Sequence, residues 1–183
     1  MGDSAQVFLE ALGERHIGVV VGACSGWVGL AESGPPYWRP RSEAELRRKV
    51  QSMAGPGLST EYNFIVTTGG RPVGECSVHA IDYRNRVGQL GVCIWEPTER
   101  EHGLGSAAVS ELVRWATDYL GLRRLEAWIV AGNAVSEQLF GRLGFVHEGT
   151  LRSRYLANGV WRDFQIYGFL THDPATDPSF LVN

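Results

Sequence analysis

The sequence TEREHGLGSAAVSELVRW, residues 98–115, places two glycines one position apart in front of an amphipathic segment. Gly103 and Gly105 lie where a helix is predicted to begin, near Leu104, and Arg100 comes shortly before them. Glycine lets the backbone approach a ligand closely, and the first N–H groups of a helix have no intrahelical partner. The segment therefore fits an anion site suited to a pyrophosphate, and it equally fits a tight helix start that binds nothing.

Other phosphate-binding motifs fit this segment poorly. A P-loop requires Gly-Lys-Ser/Thr, whereas Gly105 is followed by Ser106, and a dinucleotide fingerprint requires a third glycine where Ala108 stands. The helix is better marked, because apolar residues repeat along one stripe and Gly121 is typical of a C-terminal cap. The stripe consists of Ala108, Leu112, Trp115 or Ala116, and Tyr119.

β-rich and helical patterns alternate around this helix. Three β-rich runs separated by turn sequences precede it and predict an antiparallel meander, at 62–68, 71–81 and 87–95. It is followed by a strand at 125–130 and by a shorter helix within the segment 134–145, which Gly144 stops. Two last β segments, 149–156 and 163–170, are joined by Asn158-Gly159, which is a strong hairpin signal.

The N-terminal part predicts a strand at 7–12 and two helices. The first helix, at 14–24, has Ile17, Val20, Val21 and Cys24 at helical spacing. Ser42-x-x-Glu45 is a capping box for the second helix, which carries Leu46, Val50 and Met53 on one face. The proline-rich and aromatic segment between them predicts an exposed loop at 32–41.

The order of elements predicts an α+β fold with a mixed sheet. A strand–helix–strand unit in the middle of the chain needs a parallel pair with a right-handed crossover. The 183 residues fit one domain, with variable N-terminal helices at 1–61, a core at 62–170 and a tail at 171–183.

Composition excludes several classes of function. A net charge of −3 without a block of Lys and Arg argues against a nucleic-acid partner. The longest apolar runs fall short of a bilayer span and no signal-like start is present, which predicts a cytoplasmic protein without a membrane partner. Cys24, Cys76 and Cys93 are far apart, so buried reduced thiols are expected and no metal site is predicted.

Three motifs occur in an order that resembles a known family. They are CIWEPTEREHGLGSAAVSELVRWA at 93–116, NAVSEQLFGRLGF at 133–145 and EGTLRSRYLANGVWRDFQIYGFL at 148–170. Together they look like the GNAT superfamily of acyl-CoA N-acyltransferases, and most like the branch of the Rim-type acetyltransferases, over residues 62–170. The resemblance implies a mostly antiparallel sheet of about six or seven strands with helices on both faces, splayed at the coenzyme site.

The same resemblance implies a site for acetyl-CoA as the co-substrate, with no metal. In the family the loop and the helix start bind the coenzyme pyrophosphate through backbone N–H groups, here Arg100, Glu101, His102, Gly103, Leu104, Gly105 and Ser106. The splayed strand that pairs with the pantetheine arm corresponds to Cys93, Ile94 and Trp95. Asn133 matches an asparagine that contacts the coenzyme, and Ser136 and Phe140 follow on the next helix; Asn133 also fits a plain helix cap.

Transfer of an acetyl group to an amine requires a route for the amine proton and an acid for the leaving thiolate. Many family members use a tyrosine as that acid where this chain has Phe140, so Ser136 is the candidate, with Tyr155 and Tyr167 as alternative donors. Glu75 and His79, four apart on one strand, and Glu126 on another are candidate bases. The residues alone do not choose among the three.

The acceptor cleft of the family corresponds to residues 32–41 and 152–160. Aromatic residues there can line it and carboxylates can attract a cationic amine. The candidates are Trp27, Tyr37, Trp38, Tyr155, Trp161, Glu32, Asp82 and Asp163. The N-terminal region differs most from the Rim-type branch, so a small amine such as an antibiotic, a polyamine or an amino sugar is as good an expectation as a protein N-terminus.

Two alternatives without catalysis stay open. A sensor or regulatory domain with this fold would bind acyl-CoA without turnover, and an interaction module would not bind it. Dimers are common in the family, so the resemblance also points to a homodimer.

Overall fold

The computed structural model describes residues 6–26, 30, 34, 37, 39–100 and 102–172. Its strands are β1 Val7–Ala11, β2 Tyr62–Thr68, β3 Arg71–Asp82, β4 Val87–Ile94, β5 Arg124–Val130, β6 Val146–Ala157 and β7 Val160–Leu170. They form one seven-stranded sheet in the order β1-β2-β3-β4-β5-β7-β6. Among the described strands, β4 and β5 are the one pair of parallel neighbours, which confirms the mixed sheet.

Helices cover both faces of the sheet. Those bounded in the described residues are α1 Ile17–Ala23, α2 Glu43–Ser52, α3 Leu104–Asp118 and α4 Ala134–Arg142, with 3-10 turns at Glu14–His16 and Pro97–Glu99. Adjacent residues of a strand point to opposite faces. Ile65 accordingly packs with α1 and α2, while Val66 packs with α3 and α4.

Helix α3 is the centre of the larger core. Val109, Leu112 and Val113 are fully buried, as the predicted stripe requires. The last position of that stripe is wrong, because Tyr119 is 74% exposed. The helix ends at Asp118, and Gly121 turns the chain at a φ of 67°, so that the buried Leu122 covers the end of the helix instead.

The predicted capping box of α2 is only half formed. Ser42 Oγ accepts the N–H of Glu45 at 3.2 Å. The Glu45 carboxylate instead accepts from Arg41 Nε at 2.9 Å and from Arg39 Nη1 at 2.8 Å. Charge-assisted bonds to two guanidinium groups are stronger than one bond to a backbone amide, so the side chain turns toward the arginines.

Most of the remaining local predictions agree with the structure, but the loop predicted to be exposed at 32–41 is wrong at Tyr37 and Arg41, which are buried because both bind the Glu75 carboxylate. The turn between β6 and β7 has positive φ at both Asn158 (51°) and Gly159 (76°), as a two-residue hairpin turn requires. Cys24, Cys76 and Cys93 are buried thiols that form no disulfide. Among the described residues no helix is long and apolar enough to cross a bilayer.

Candidate active site

Strands β4 and β5 are paired over only part of their length. The ladder runs from Val87 opposite Arg124 to Leu90 opposite Ala127, while β4 continues beside β3 and β5 continues beside β7. From Gly91 onward, the edge of β4 that faces β5 therefore has no ladder partner among the described residues. This is the predicted splay, and its backbone groups need partners from a ligand or solvent.

The loop after β4 is fixed by Arg100. Its guanidinium donates from Nε to the carbonyl oxygen of Ile94 at 2.9 Å and from Nη2 to that of Trp95 at 3.0 Å. The Arg100 side chain thereby satisfies the carbonyl groups at the end of the strand. The groups of this loop that can bind a ligand are therefore mainly backbone groups.

The start of α3 meets the open end of this gap. Gly103, the residue before the helix, has a φ of 81°, which favours glycine. A Cβ on Gly105 would lie 3.1 Å from Leu139 Cδ1, so the helices approach closely at this point. The first helical bond joins the N–H of Ala107 to the carbonyl oxygen of Gly103 at 2.9 Å. The N–H groups before Ala107 lie in the turn where helical amides have no intrahelical partner.

A cavity of about 760 Å³ lies between the start of α3, the end of β4 and α4, and we call it the helix-end cavity. It is lined by Val92, Cys93, Ile94, Arg100, Gly103, Gly105, Ser106, Asn133, Val135, Ser136, Gln138, Leu139 and Arg142. Backbone donors, the hydroxyl groups of Ser106 and Ser136 and the guanidinium group of Arg142 make this lining suited to a long ligand that carries phosphates.

A second space, the gap cavity, is the opening between β4 and β5 itself. It measures about 130 Å³, and it shares Val92, Asn133 and Ser136 with the helix-end cavity. Asn133 Oδ1 accepts the N–H of Ser136 at 3.1 Å, which caps α4 and places both residues between the two cavities.

A third space, the polar cavity, lies on the face of the sheet covered by α1 and α2. It measures about 230 Å³, and its lining shares His79, Gly91 and Val92 with the gap cavity. The rest of its lining is Tyr37, Arg41, Lys49, Glu61, Asn63, Glu75, Cys76 and Ser77. The three spaces thus follow one another through the sheet, from the helix-end cavity through the gap to the polar cavity.

Glu75 is held by two donors within the polar cavity. The Tyr37 hydroxyl donates to Glu75 Oε1 at 2.7 Å, and Arg41 Nη1 donates to the same oxygen at 2.9 Å. Burial, together with the charge of Glu75, raises the pKa of Tyr37 well above its usual value, so Tyr37 stays a hydrogen-bond donor.

His79 lies where the polar cavity meets the gap. Burial lowers the pKa of His79 below 6.5, and the charge of Lys49 lowers it further against the opposing effect of Glu61. Lys49 Nζ lies 3.0 Å from Glu61 Oε2, and Ser77 Oγ lies 3.2 Å from His79 Nδ1. His79 is therefore neutral at pH 7 and can accept a proton.

Comparison with known proteins identifies the family. The family model described as "Acetyltransferase (GNAT) domain" matches residues 9–146. YdaF of Bacillus subtilis (strain 168), named as a ribosomal N-acetyltransferase, is 31% identical over 149 residues, which are 80% of this chain and 78% of YdaF. The chain belongs to the GNAT acetyltransferase family. It is accordingly an N-acetyltransferase.

Solved GNAT structures share the fold. RimL, a ribosomal L7/L12 alpha-N-protein acetyltransferase in complex with coenzyme A, has a TM-score of 0.82 at 20% identity, covering 92% of this chain and 96% of its own. Spermidine N-acetyltransferase from Vibrio cholerae, in complex with CoA and spermine, has a TM-score of 0.79 at 19% identity, covering 97% and 99%. A further structure of the Vibrio enzyme is described as dodecameric.

Most coenzyme residues expected from the GNAT resemblance lie around the helix-end cavity, and their roles stay predictions. Three others face elsewhere: Trp95 packs with α1 and α2, Leu104 is in the larger core, and His102 is exposed. Phe140 borders the gap cavity but packs edge-on against Phe145, with ring centroids 5.0 Å apart. Glu101 lies outside the described residues.

The candidate catalytic groups of the GNAT site are placed very differently. Ser136, on α4, and His79, on β3, both border the gap cavity. Glu126 lies away from the three cavities, and its carboxylate accepts from Arg124 Nε at 2.8 Å and from Trp128 Nε1 at 3.0 Å. The alternative donors pack against aromatic rings, Tyr155 against Phe164 and Tyr167 against His147.

The candidate acceptor residues are brought together only in part. Tyr37 lines the polar cavity, whereas Trp161 is 62% exposed. Asp82 binds Asn85 within its own turn, and Asp163 accepts the N–H of Ser153 at 2.7 Å. Trp27, Glu32 and Trp38 lie outside the described residues.

Sequence reasoning missed most of the charged and polar lining of the polar cavity. Arg41, Lys49, Glu61 and Asn63 converge there, and Arg142 lines the helix-end cavity. A signal was present, because Glu61 and Asn63 alternate with Tyr62 where β2 begins and so share one face of the sheet.

Proposed function

We propose that the chain transfers an acetyl group from acetyl-CoA to a primary amine by direct attack within a ternary complex. One observation carries the proposal: three cavities adjoin one another through the gap between β4 and β5. Acetyl-CoA would enter from the helix-end cavity and the amine from the polar cavity. The thioester would then lie in the gap, between Ser136 and His79.

The helix-end cavity fits the phosphates and the pantetheine arm of coenzyme A. The backbone donors of Gly103–Ser106 suit the pyrophosphate, because the N–H groups at a helix start bind anions. Glycine at position 105 keeps this helix start close to α4, since a side chain there would press against Leu139. The open edge of β4 from Gly91 onward suits the amide groups of the pantetheine arm. Arg142 adds a cation for a further phosphate group.

His79 is the base that this arrangement favours. Glu75 is engaged by Tyr37 and Arg41, and Glu126 lies outside the cavities. The neutral imidazole of His79 accepts a proton from the ammonium group, and the freed lone pair attacks the thioester carbon. A C–N bond forms, the nitrogen loses its second proton to solvent and the C–S bond breaks; His79 then releases its own proton to solvent.

Ser136 is the proposed donor to the leaving sulfur. Its hydroxyl gives a proton to the departing thiolate and regains one from solvent, so the products are an N-acetylated amine and the free CoA thiol. We predict that the acceptor is a small amine or a protein N-terminus. We also predict that the protein is cytoplasmic and that it forms a homodimer or a larger oligomer.

Two measurements on the purified chain test the proposal. Acetyl-CoA should raise the Tm, because a ligand that binds only the native state stabilises it, and thiol release should require an added amine. A raised Tm with no thiol release in a broad amine panel would favour the sensor. An unchanged Tm would favour the interaction module.

A further inference from the structure

The charges of the polar cavity balance among the described residues that line it. Two cations, Arg41 and Lys49, face two carboxylates, Glu61 and Glu75. Each carboxylate is paired, Glu75 with Arg41 at 2.9 Å and Glu61 with Lys49 at 3.0 Å. The described lining therefore has no excess of negative charge.

This balance bears on which amine the cavity can receive. A polyamine brings several ammonium groups, and each loses its hydration on entering a half-enclosed site unless a carboxylate compensates for it. Both carboxylates here are already ion-paired. A polyamine would have to displace Arg41, whose side chain is 2% exposed, or the Lys49 ammonium from its partner.

Lys49 has capacity for one more acceptor. An ammonium has three N–H donors, and Lys49 uses two, toward Glu61 Oε2 at 3.0 Å and Asn63 Oδ1 at 3.3 Å. The side chains of Lys49 and Glu61 are 24% and 27% exposed, so this pair can be reached from outside. The third donor suits a carboxylate.

We infer that the acceptor is a compact amine that also carries a carboxylate, such as a free amino acid, and that Lys49 binds this carboxylate. The inference rests on the proposed function and adds the acceptor class to it. Lys49 and His79 line the same cavity, so a small zwitterion whose carboxylate binds Lys49 can place its amino group toward His79. A carboxylate beside Lys49 also offsets the charge that lowers the pKa of His79.

Matched acceptors test the inference directly. Thiol release from acetyl-CoA is measured with a panel of L-amino acids, with the corresponding L-amino-acid amides and with spermidine. The amides keep the amino group and the side chain but lack the carboxylate, as does the N-terminal residue of a protein. We expect kcat/KM for the best amino acid to exceed that for its amide by about tenfold to a hundredfold, as loss of a charge-assisted bond implies.

Variants of Lys49 test whether this residue causes the preference for amino acids over their amides. Lys49→Met should bring the ratio of amino acid to amide close to one, and Lys49→Arg should retain most of the preference. Arg47→Met is the matched control, because Arg47 lies on the same helix, is half exposed and binds Glu43 at 2.8 Å. This control should leave the ratio unchanged.

The outcomes are distinguishable. Amides or spermidine used as well as amino acids, or a ratio that Lys49→Met leaves unchanged, would overturn the inference and leave the proposed function intact. Binding of acetyl-CoA without thiol release for any amine would overturn the proposed function and this inference together.

Discussion

Asn133 Oδ1 accepts the backbone N–H of Ser136 at 3.1 Å, so the residue expected to contact the coenzyme is also the cap of α4. The two roles that the sequence left as alternatives are compatible, because the cap uses the amide oxygen and does not use the NH₂ group of a residue that lines both the gap cavity and the helix-end cavity. The same bond sets the position of Ser136 at the border of the gap. Stability and coenzyme affinity can therefore be separated by substitution at Asn133.

Asn133→Ala should lower the free energy of unfolding by about 1 kcal/mol, because the cap is lost. It should also raise KM for acetyl-CoA. Asn133→Asp keeps a capping oxygen but replaces the NH₂ donor with a negative charge, so it should retain the Tm and still raise KM. Thermal melts and initial rates measure the two effects. A normal KM in both variants would leave Asn133 with the capping role alone.

Ser136→Ala should lower kcat by about a hundredfold or more, within the range for proton transfer by a positioned group, with little change in KM for acetyl-CoA. The reason is that the hydroxyl acts on the leaving sulfur and not on the bound ground state. Ser110→Ala on α3, outside the three cavities, is the control. An unchanged kcat in Ser136→Ala would remove this residue from the mechanism.

The pH dependence should report His79. Burial and Lys49 lower its pKa below 6.5, while Glu61 opposes them, so kcat/KM should be constant at neutral pH and fall as the pH drops through this lowered pKa. Folding stability should fall in the same direction, since the unfolded chain binds the proton more readily below pH 6.5. His79→Gln should abolish the acid limb and lower the rate. An acid limb that survives in this variant would assign the base to another group.

Gly105→Val should weaken coenzyme binding. Its Cβ would lie 3.1 Å from Leu139 Cδ1 at the lining of the helix-end cavity, which pushes the two helices apart or narrows the cavity. The rise in Tm that saturating acetyl-CoA produces should shrink. Gly141→Ala is the control, because a Cβ there meets nothing within 4 Å. A full ligand-induced rise in Gly105→Val would place the pyrophosphate elsewhere.

Local patterns sufficed for most of the fold. The meander, helix α3, the hairpin turn at Asn158-Gly159 and the mixed sheet all follow from periodicity and turn chemistry over short windows. The prediction that Tyr119 belongs to the buried stripe was wrong because the stripe was extended past the end of the helix at Asp118. The residues after the helix determine where it ends.

The site was harder to predict because it depends on contacts between distant segments. Glu75 was an attractive base on its strand, yet Tyr37 and Arg41, which bind it, lie 38 and 34 residues before it in the chain. The Lys49–Glu61 pair likewise joins α2 to the start of β2. The order of residues along the chain does not reveal such pairings.

The central claim is that the gap between β4 and β5 brings acetyl-CoA and an amine together for transfer. The most direct measurement follows both products at once, the CoA thiol by a colorimetric reagent and the acetylated amine by mass spectrometry. The account predicts one acetylated amine for each thiol released, and only background release without amine. Acetyl-CoA that stabilises the chain but yields thiol at the background rate with every amine would contradict it.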